Sequence, residues 1–416
     1  MDSNGGANTS VQGGTRAAPP SNVAANPESR FSWRRWIRPV VFVIYGLLVI
    51  AGSVCIAIDY TETVMVDKFK RTLALVGFVP MVISIPLSFW GIINHMVCFT
   101  RPSLQKYIFR VLWMAPLYVL MSWLALRFSS GKVYFDALRQ MYEALAMCNF
   151  VFYIVTYFAE EVPDLEQRLA EKEKQGLPIP LCRVKRQPTL GMIHKCKIGT
   201  FTYSVVRTIA TIVTVILHLT GNYSEEFGWG SPYTWFCTLV TISQIVAMFS
   251  LNLLRMATYE ELQPLPRFFK QFVAIHIVIF FTNYQGSILN LVAKTGVFNH
   301  FDMQLADIEP SFATKLQDLL ICFEMVPLAA FFTYSFDYQR YNTNEPKCGI
   351  GRIILFCWTL TSMKSSVIDR LGKGNNTNEG FQNDNAQSQQ QTPAAATDGV
   401  YPSIQLQPLS QGAPVV

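Results

Sequence analysis

A chain of 416 residues with only 15% charged but 50% hydrophobic side chains, the latter gathered in long blocks, does not read as an ordinary soluble protein. Its net charge of +6 is modest, and nothing in its pattern points to nucleic acid. The solvent of much of this chain is lipid.

In chain order, residues 1–38 read as a disordered cytosolic N-tail. Its first 30 residues are rich in Gly, Asn, Ser, Ala and Pro and lack the apolar core of a cleavable secretory signal. Apolar runs long enough to cross a hydrocarbon core of ~30 Å follow at 39–58, 72–94, 108–126, 139–158, 202–221, 233–254, 268–293 and 317–336. The weakest is 139–158, which contains Arg139, Glu143 and Asn149 and leaves a seven-span count open. With eight spans, Lys and Arg divide 23 to 7 between the two sides, which predicts that both termini are cytosolic. Trp33, Trp36, Trp229, Tyr233 and Trp235 stand where interface anchors are expected. The fold class predicted is an all-α polytopic transmembrane bundle over 39–336.

The cytoplasmic loop 159–201 opens with a charged helix-forming stretch that ends at Gly176 and Pro178, then turns basic around Arg183, Lys185 and Arg186. Such a segment suits either an anionic leaflet or a solvated regulatory role. None of the nine cysteines falls in a predicted outer loop, so no extracellular disulfide framework is expected. Cys182 and Cys196 are candidate lipidation sites in the cytoplasmic loop. Residues 337–373 form a predicted interfacial amphipathic segment, with a helix near 350–371. Residues 374–416 read as a disordered cytosolic C-tail, in which Tyr401 and Ile404 frame a tyrosine-x-x-hydrophobic sorting motif.

Polar residues three, four and seven apart share a helix face. Arg207, Thr211, Thr214 and His218 align in the fifth run, Thr241, Gln244 and Asn252 in the sixth, and His276, Asn283, Ser287 and Asn290 in the seventh. Gln317 and Glu324 share a face in the eighth, where an ionised carboxyl at the bilayer centre costs on the order of 2.5 to 3.5 kcal/mol. Interhelical hydrogen bonding explains the Thr, Ser and Asn residues as well as a ligand does. A carboxyl exceeds what such bonding needs. The candidate lining of a polar central cavity is therefore Glu143, Gln244, Asn252, Asn283, Gln285 and Glu324, with Arg207 as basic counterweight. Pro80, Pro86, Pro116 and Pro327 fall inside the runs, where kinks are expected. Phosphate-loop, zinc-protease, nucleophile-elbow and paired Cys/His motifs are absent from the sequence, so neither an enzyme nor a metal or other cofactor is indicated.

The stretches "NHMVCFTRPSLQKYIFRVLWMAPLYVL", "YFDALRQMYEALAMCNF", "CKIGTFTYSVVR", "YEELQPLPRFFKQF", "YQGSILNLVAKTG" and "LQDLLICFEM" resemble the organic solute transporter alpha family, specifically its transmembrane protein 184 branch. "RRWIRPVVFVIYGLL" resembles that branch's added first span. Asn283 and Tyr284 stand where the family usually has an aromatic pair, Thr208 where it has proline, and the cytoplasmic cysteine cluster is thinned to Cys182, with Cys196 further on.

The resemblance implies a seven-helix receptor-like core plus one added helix, and a carrier of organic solutes, sterol-like anions among them. The other reading is a non-transporting receptor or trafficking scaffold that acts through its loop and tail. Compatible partners are membrane lipids, a small organic solute, a single-span partner subunit or a second copy of the chain, and clathrin-adaptor-type proteins, at the plasma membrane or an endomembrane. The topology predicts that Asn222 is the only sequon on the glycosylating side. Glycosylation-site mapping that finds a glycan on Asn8 or Asn375 overturns it.

Overall fold

Eight helices are long and apolar enough to cross a membrane in a computed structural model that describes residues 33–61, 65–178, 181, 183–221, 232–297, 312–343 and 348–358. The spans are Trp33–Ile58, Arg71–Val97, Pro102–Arg127, Ser129–Glu161, Leu190–Leu219, Thr234–Ala257, Phe268–Ala293 and Phe312–Tyr341. The chain is thus an all-α polytopic membrane protein, and among the described residues eight helices, rather than seven, are long and apolar enough to cross. Asn8, Cys182, Asn222, Asn375, Tyr401 and Ile404 lie outside the described residues, as does the part of the interfacial segment beyond residue 358.

Helix α1 (Trp33–Thr61) packs on α2 (Met65–Val97). The third span is two helices, α3 (Pro102–Leu112) and α4 (Met114–Arg127), interrupted at Trp113. Pro116 is the physical reason, because its ring and missing N–H disturb the turn before it. Next come α5 (Lys132–Glu161), α6 (Leu165–Glu171), α7 (Leu190–Leu219), α8 (Pro232–Ala257) and the short α9 (Tyr259–Leu262). The seventh span is α10 (Phe268–Ile279), a π-helical turn (Phe280–Tyr284) and α11 (Gln285–Lys294). Helix α12 (Phe312–Ser335) closes the bundle, and α13 (Ile350–Trp358) lies within residues 337–373, the segment predicted to be interfacial.

Proline changes local chemistry even where the helix continues. Pro86 lies inside α2 and leaves the carbonyl of Val82 without its usual helical donor. The Tyr45 hydroxyl of α1 donates to that carbonyl at 2.7 Å, and Arg38 of α1 reaches Asn94 Oδ1 at 2.8 Å. These bonds fix α1 along α2. Arg34 then donates to the carbonyl of Cys348 at 2.9 Å, and the Cys348 N–H donates to Phe99, which brings the start of α13 to the same end.

The span with the most polar sequence is also the most buried. Helix α5 packs against α3, α4 and α7, and 72% of the most apolar window of its span is buried. Near its start, Lys132 and Arg139 both pair with Asp318 of α12, at 2.8 and 3.0 Å, and Arg139 also pairs with Asp136 at 2.8 Å. Lys132 pairs with Asp136 as well, and Arg139 donates to Ser122 Oγ of α4 at 2.7 Å. Two cations and two carboxylates thus neutralise one another where neither sign is tolerated alone.

The polar stripe expected on the fifth span does face α5. Thr211 donates to the carbonyl of Ala137 at 3.4 Å, and His218 shares a 2.9 Å hydrogen bond with Tyr134. Helix α8 lies against α7 at Gly199, where a Cβ would come within 2.6 Å of Ser250 Oγ, so a larger residue would force that hydroxyl to turn away. Between α6 and α7, a two-stranded antiparallel ladder pairs β1 (Gln175–Gly176) with β2 (Lys185–Arg186), leaving Lys185 and Arg186 exposed. Lys172 ties this loop down by pairing with the buried Glu261 of α9 at 2.7 Å.

Removing Asp318 leaves two buried cations to share one carboxylate, Asp136. Asp318→Ala is expected to cost about 3 to 5 kcal/mol, read as a large fall in the melting temperature of the detergent-purified protein. Asp318→Asn should be intermediate.

Candidate functional site

Eleven residues beyond Lys132, and so ~16 Å further along α5, Glu143 is 1% exposed and surrounded by donors. Asn283 Nδ2 donates to its Oε1 at 2.8 Å and Gln244 Nε2 at 3.3 Å. The Tyr118 hydroxyl donates to its Oε2 at 3.0 Å and Thr282 Oγ1 at 3.2 Å. One carboxylate therefore gathers α4, α8 and the π turn around α5. Two hydrogen bonds on each oxygen disperse its charge over neutral dipoles.

The π turn is what delivers two neighbouring donors to the same carboxylate. A wider turn carries one more residue per loop, and such bulges recur at functional sites. Here it places Thr282 and Asn283 side by side on Glu143, an arrangement that an α-helical step of about 100° between neighbours disfavours. Gln317 of α12 supports the turn by donating to the carbonyl of Thr282 at 2.9 Å. That approach requires Gly286, because a Cβ there would lie 2.3 Å from Gln317 Nε2.

Arg207 of α7 lies close enough to act on Glu143 through its charge. No hydrogen bond joins the two, and Arg207 Nε is buried without a hydrogen-bond partner. One helical turn earlier, Tyr203 is 0% exposed, acts electrostatically on the same pair, and has a hydroxyl that also lacks a partner. The site therefore combines a carboxylate whose acceptors are filled with two donors, on one face of α7, that are not.

Of the seven candidate cavity residues, Glu143, Gln244, Asn283 and Arg207 come together. Gln285 and Glu324 form a second pair, with Gln285 Nε2 donating to Glu324 Oε1 at 2.7 Å. Glu324 is half-buried, and its Oε2 and Gln285 Oε1 are enclosed without hydrogen-bond partners. Gln317 shares the face of Glu324 but bonds to the π turn instead of to it. Asn252 stands apart and donates to the carbonyl of Met248 on its own helix at 3.0 Å.

Cys196 is 2% exposed, so acylation of its thiol would require the packing around α7 to open. Tyr118, Thr282 and Tyr203 were not among the sequence candidates. Spacing could have revealed Tyr203, four residues before Arg207. Nothing in a single sequence signals the π turn.

The geometry is that of a helical membrane protein with a polar core at mid-bundle. Residues 73–341 match the family model described as organic solute transporter Ostalpha, and the chain belongs to that family. The match begins in α2 and ends after α12, so α1 lies outside it. No solved structure matches the chain.

Glu143→Leu would leave the Tyr118 hydroxyl and Gln244 Nε2 without an acceptor, each at a cost of about 1 to 3 kcal/mol, while Thr282 and Asn283 keep backbone acceptors on their own helix. The expected order of melting temperatures is wild type, then Glu143→Gln, then Glu143→Leu well below both. Thermal unfolding in detergent, followed by intrinsic fluorescence, measures it.

Proposed function

We propose that this protein carries organic anions across the bilayer, with Arg207 and Tyr203 as the anchoring donors and Glu143 as the fixed negative pole that positions them. The observation that carries this reading is the pair of buried donors left without partners beside a carboxylate whose acceptor positions are filled. A carboxylate or sulfate group on a solute would supply the missing acceptors. The solute's apolar body would lie against the aromatic and aliphatic side chains that dominate these spans. Sterol-like anions, the class implied by the family, have that division of polarity.

The interrupted seventh span supports movement as well as binding. Transport sites in membranes are commonly built where a helix is broken near mid-depth, because a broken helix exposes groups that a regular one satisfies internally. Here the break holds two of the four donors to Glu143, so a change at Arg207 can reach α10 and α11 through one carboxylate. The half-satisfied pair of Glu324 and Gln285 is a second polar position along the same span. The added helix α1, outside the matched range, supports placement in the transmembrane protein 184 branch.

Reconstituted proteoliposomes loaded with a radiolabelled sulfated steroid test the reading. Wild-type protein should accelerate efflux over empty vesicles. Tyr203→Phe, which keeps shape and loses one hydroxyl, should slow it by about tenfold for a lost hydrogen bond of roughly 1.5 kcal/mol. Arg207→Gln should abolish it, and Arg207→Lys should retain a part. Efflux equal to wild type in both Tyr203→Phe and Arg207→Gln rejects these residues as the anchor, and no efflux from wild type rejects transport of this class.

A further inference from the structure

At one end of the bundle, away from Glu143, the start of α3 and the ends of the fourth and eighth spans converge on a cavity of about 180 Å³ lined by Thr100, Arg101, Glu161, Arg340, Tyr341 and Thr343. We propose that this cavity is a binding site for a phosphate group, with Arg340 and Arg101 as its cationic ligands. It is independent of the transport reading, because none of its residues touches the Glu143 site.

The size is appropriate. A cavity of 150 Å³ admits a benzene-sized guest, so this one has room for a phosphate and part of what is attached to it. Among the described lining residues the charges also favour an anion, with two guanidiniums against one carboxylate. Arginine presents a planar fork of donors that matches phosphate oxygens in pairs.

Arg340 is the better placed of the two. It lies within a 3-10 turn (Tyr338–Tyr341) held by Asp337, whose side chain accepts from the Gln339 N–H at 2.9 Å. Its guanidinium lies 5.6 Å from the centre of the Tyr157 ring, which limits its swing. Nη1 of Arg340 is enclosed without a hydrogen-bond partner among the described residues. A buried charged donor left in this state is rare and costly, and a phosphate oxygen would satisfy it.

Arg101 forms an ion pair with Glu161, but their side chains are 44% and 34% exposed. A pair so open to solvent is a weak constraint, and Arg101 can exchange Glu161 for a more highly charged acceptor. The floor is rigid. Thr100 Oγ1 donates to the carbonyl of Tyr341 at 3.0 Å, and Gln105 Oε1 accepts from the N–H groups of both Thr100 and Arg101 at 2.8 and 2.9 Å. Since all these groups lie at the ends of membrane spans, the cavity sits at headgroup depth. The phosphate can belong to a lipid headgroup or be free.

The full-length protein in a phosphate-free detergent buffer decides, with melting temperature as the readout because a ligand that binds the folded state raises it. The probes are dioctanoyl phosphatidic acid, inorganic phosphate, and dioctanoylglycerol as the same tails without phosphate. Phosphatidic acid should raise the melting temperature above the dioctanoylglycerol control. An equal rise with inorganic phosphate identifies a free-phosphate site, and a rise with the lipid alone identifies a headgroup site.

Arg340→Gln should weaken the apparent affinity at least tenfold. Thr343→Asp, at an exposed position that leaves the packing intact, should abolish the rise by setting a carboxylate at the rim. The proposal is overturned if neither phosphate probe exceeds the control, or if Thr343→Asp responds as wild type does.

Discussion

A charged group inside a bilayer must find its counter-charge or its hydrogen bonds within the protein, and helix α5 concentrates that requirement. Lys132, Asp136, Arg139, Glu143 and Asn149 all lie along it, and its burial follows from them. Each polar residue selects a neighbour. Arg139 takes Ser122 of α4 and Asp318 of α12; Glu143 takes α4, α8 and the π turn; Asn149 accepts from Arg110 of α3 at 3.0 Å. The apolar surfaces of the other helices have no such preference, since lipid tails are as good a neighbour as leucine. The polar contacts of α5 are therefore what distinguish this arrangement of helices from others of equal apolar burial.

The same polar residues divide the bundle into three levels. In the ion quartet of Lys132, Asp136, Arg139 and Asp318 every charge has an opposite charge within 3.0 Å, which makes it self-neutralising and structural. The middle level differs because its books do not balance: Glu143 is satisfied while Tyr203 and Arg207 retain unused donors. At the far end of α5, the Arg101–Glu161 pair is exposed and exchangeable, and Lys172–Glu261 holds the loop against α9. The middle, at Tyr203 and Arg207, and the end where Arg340 lies are two of the places where a buried donor lacks a partner among the described residues.

Helix α1 is attached by different means. It docks through a carbonyl that Pro86 leaves free and through Asn94, both on α2, and its remaining surface is largely exposed. Val43, Leu47, Leu48 and Ile50 are each more than half exposed, as suits a helix whose outer face meets lipid. It adds a crossing at the edge of the bundle without entering the polar interior. The family match starts in α2, so the core that α5 organises is the part shared with relatives.

Hydrophobic length by itself marked eight candidate spans and left seven open at 139–158, because spanning is a requirement each segment meets alone; among the described residues the structure has eight helices long and apolar enough to cross. Helical periodicity likewise marked the face of α7 carrying Arg207, Thr211 and His218, which does turn towards α5. The fourth span read as the weakest because hydropathy counts Arg139 and Glu143 as costs and cannot see Asp318, 179 residues from Arg139, or Asn283, 140 from Glu143. The sequence marked Glu324 as a carboxyl inside a span, and only the tertiary structure assigned Gln285 to it and Gln317 to the π turn. Depth and face are properties of one helix and are written in its sequence. Which donor meets which acceptor depends on the rotation and register of two helices, and a local change of pitch such as the turn at Phe280–Tyr284 resets both.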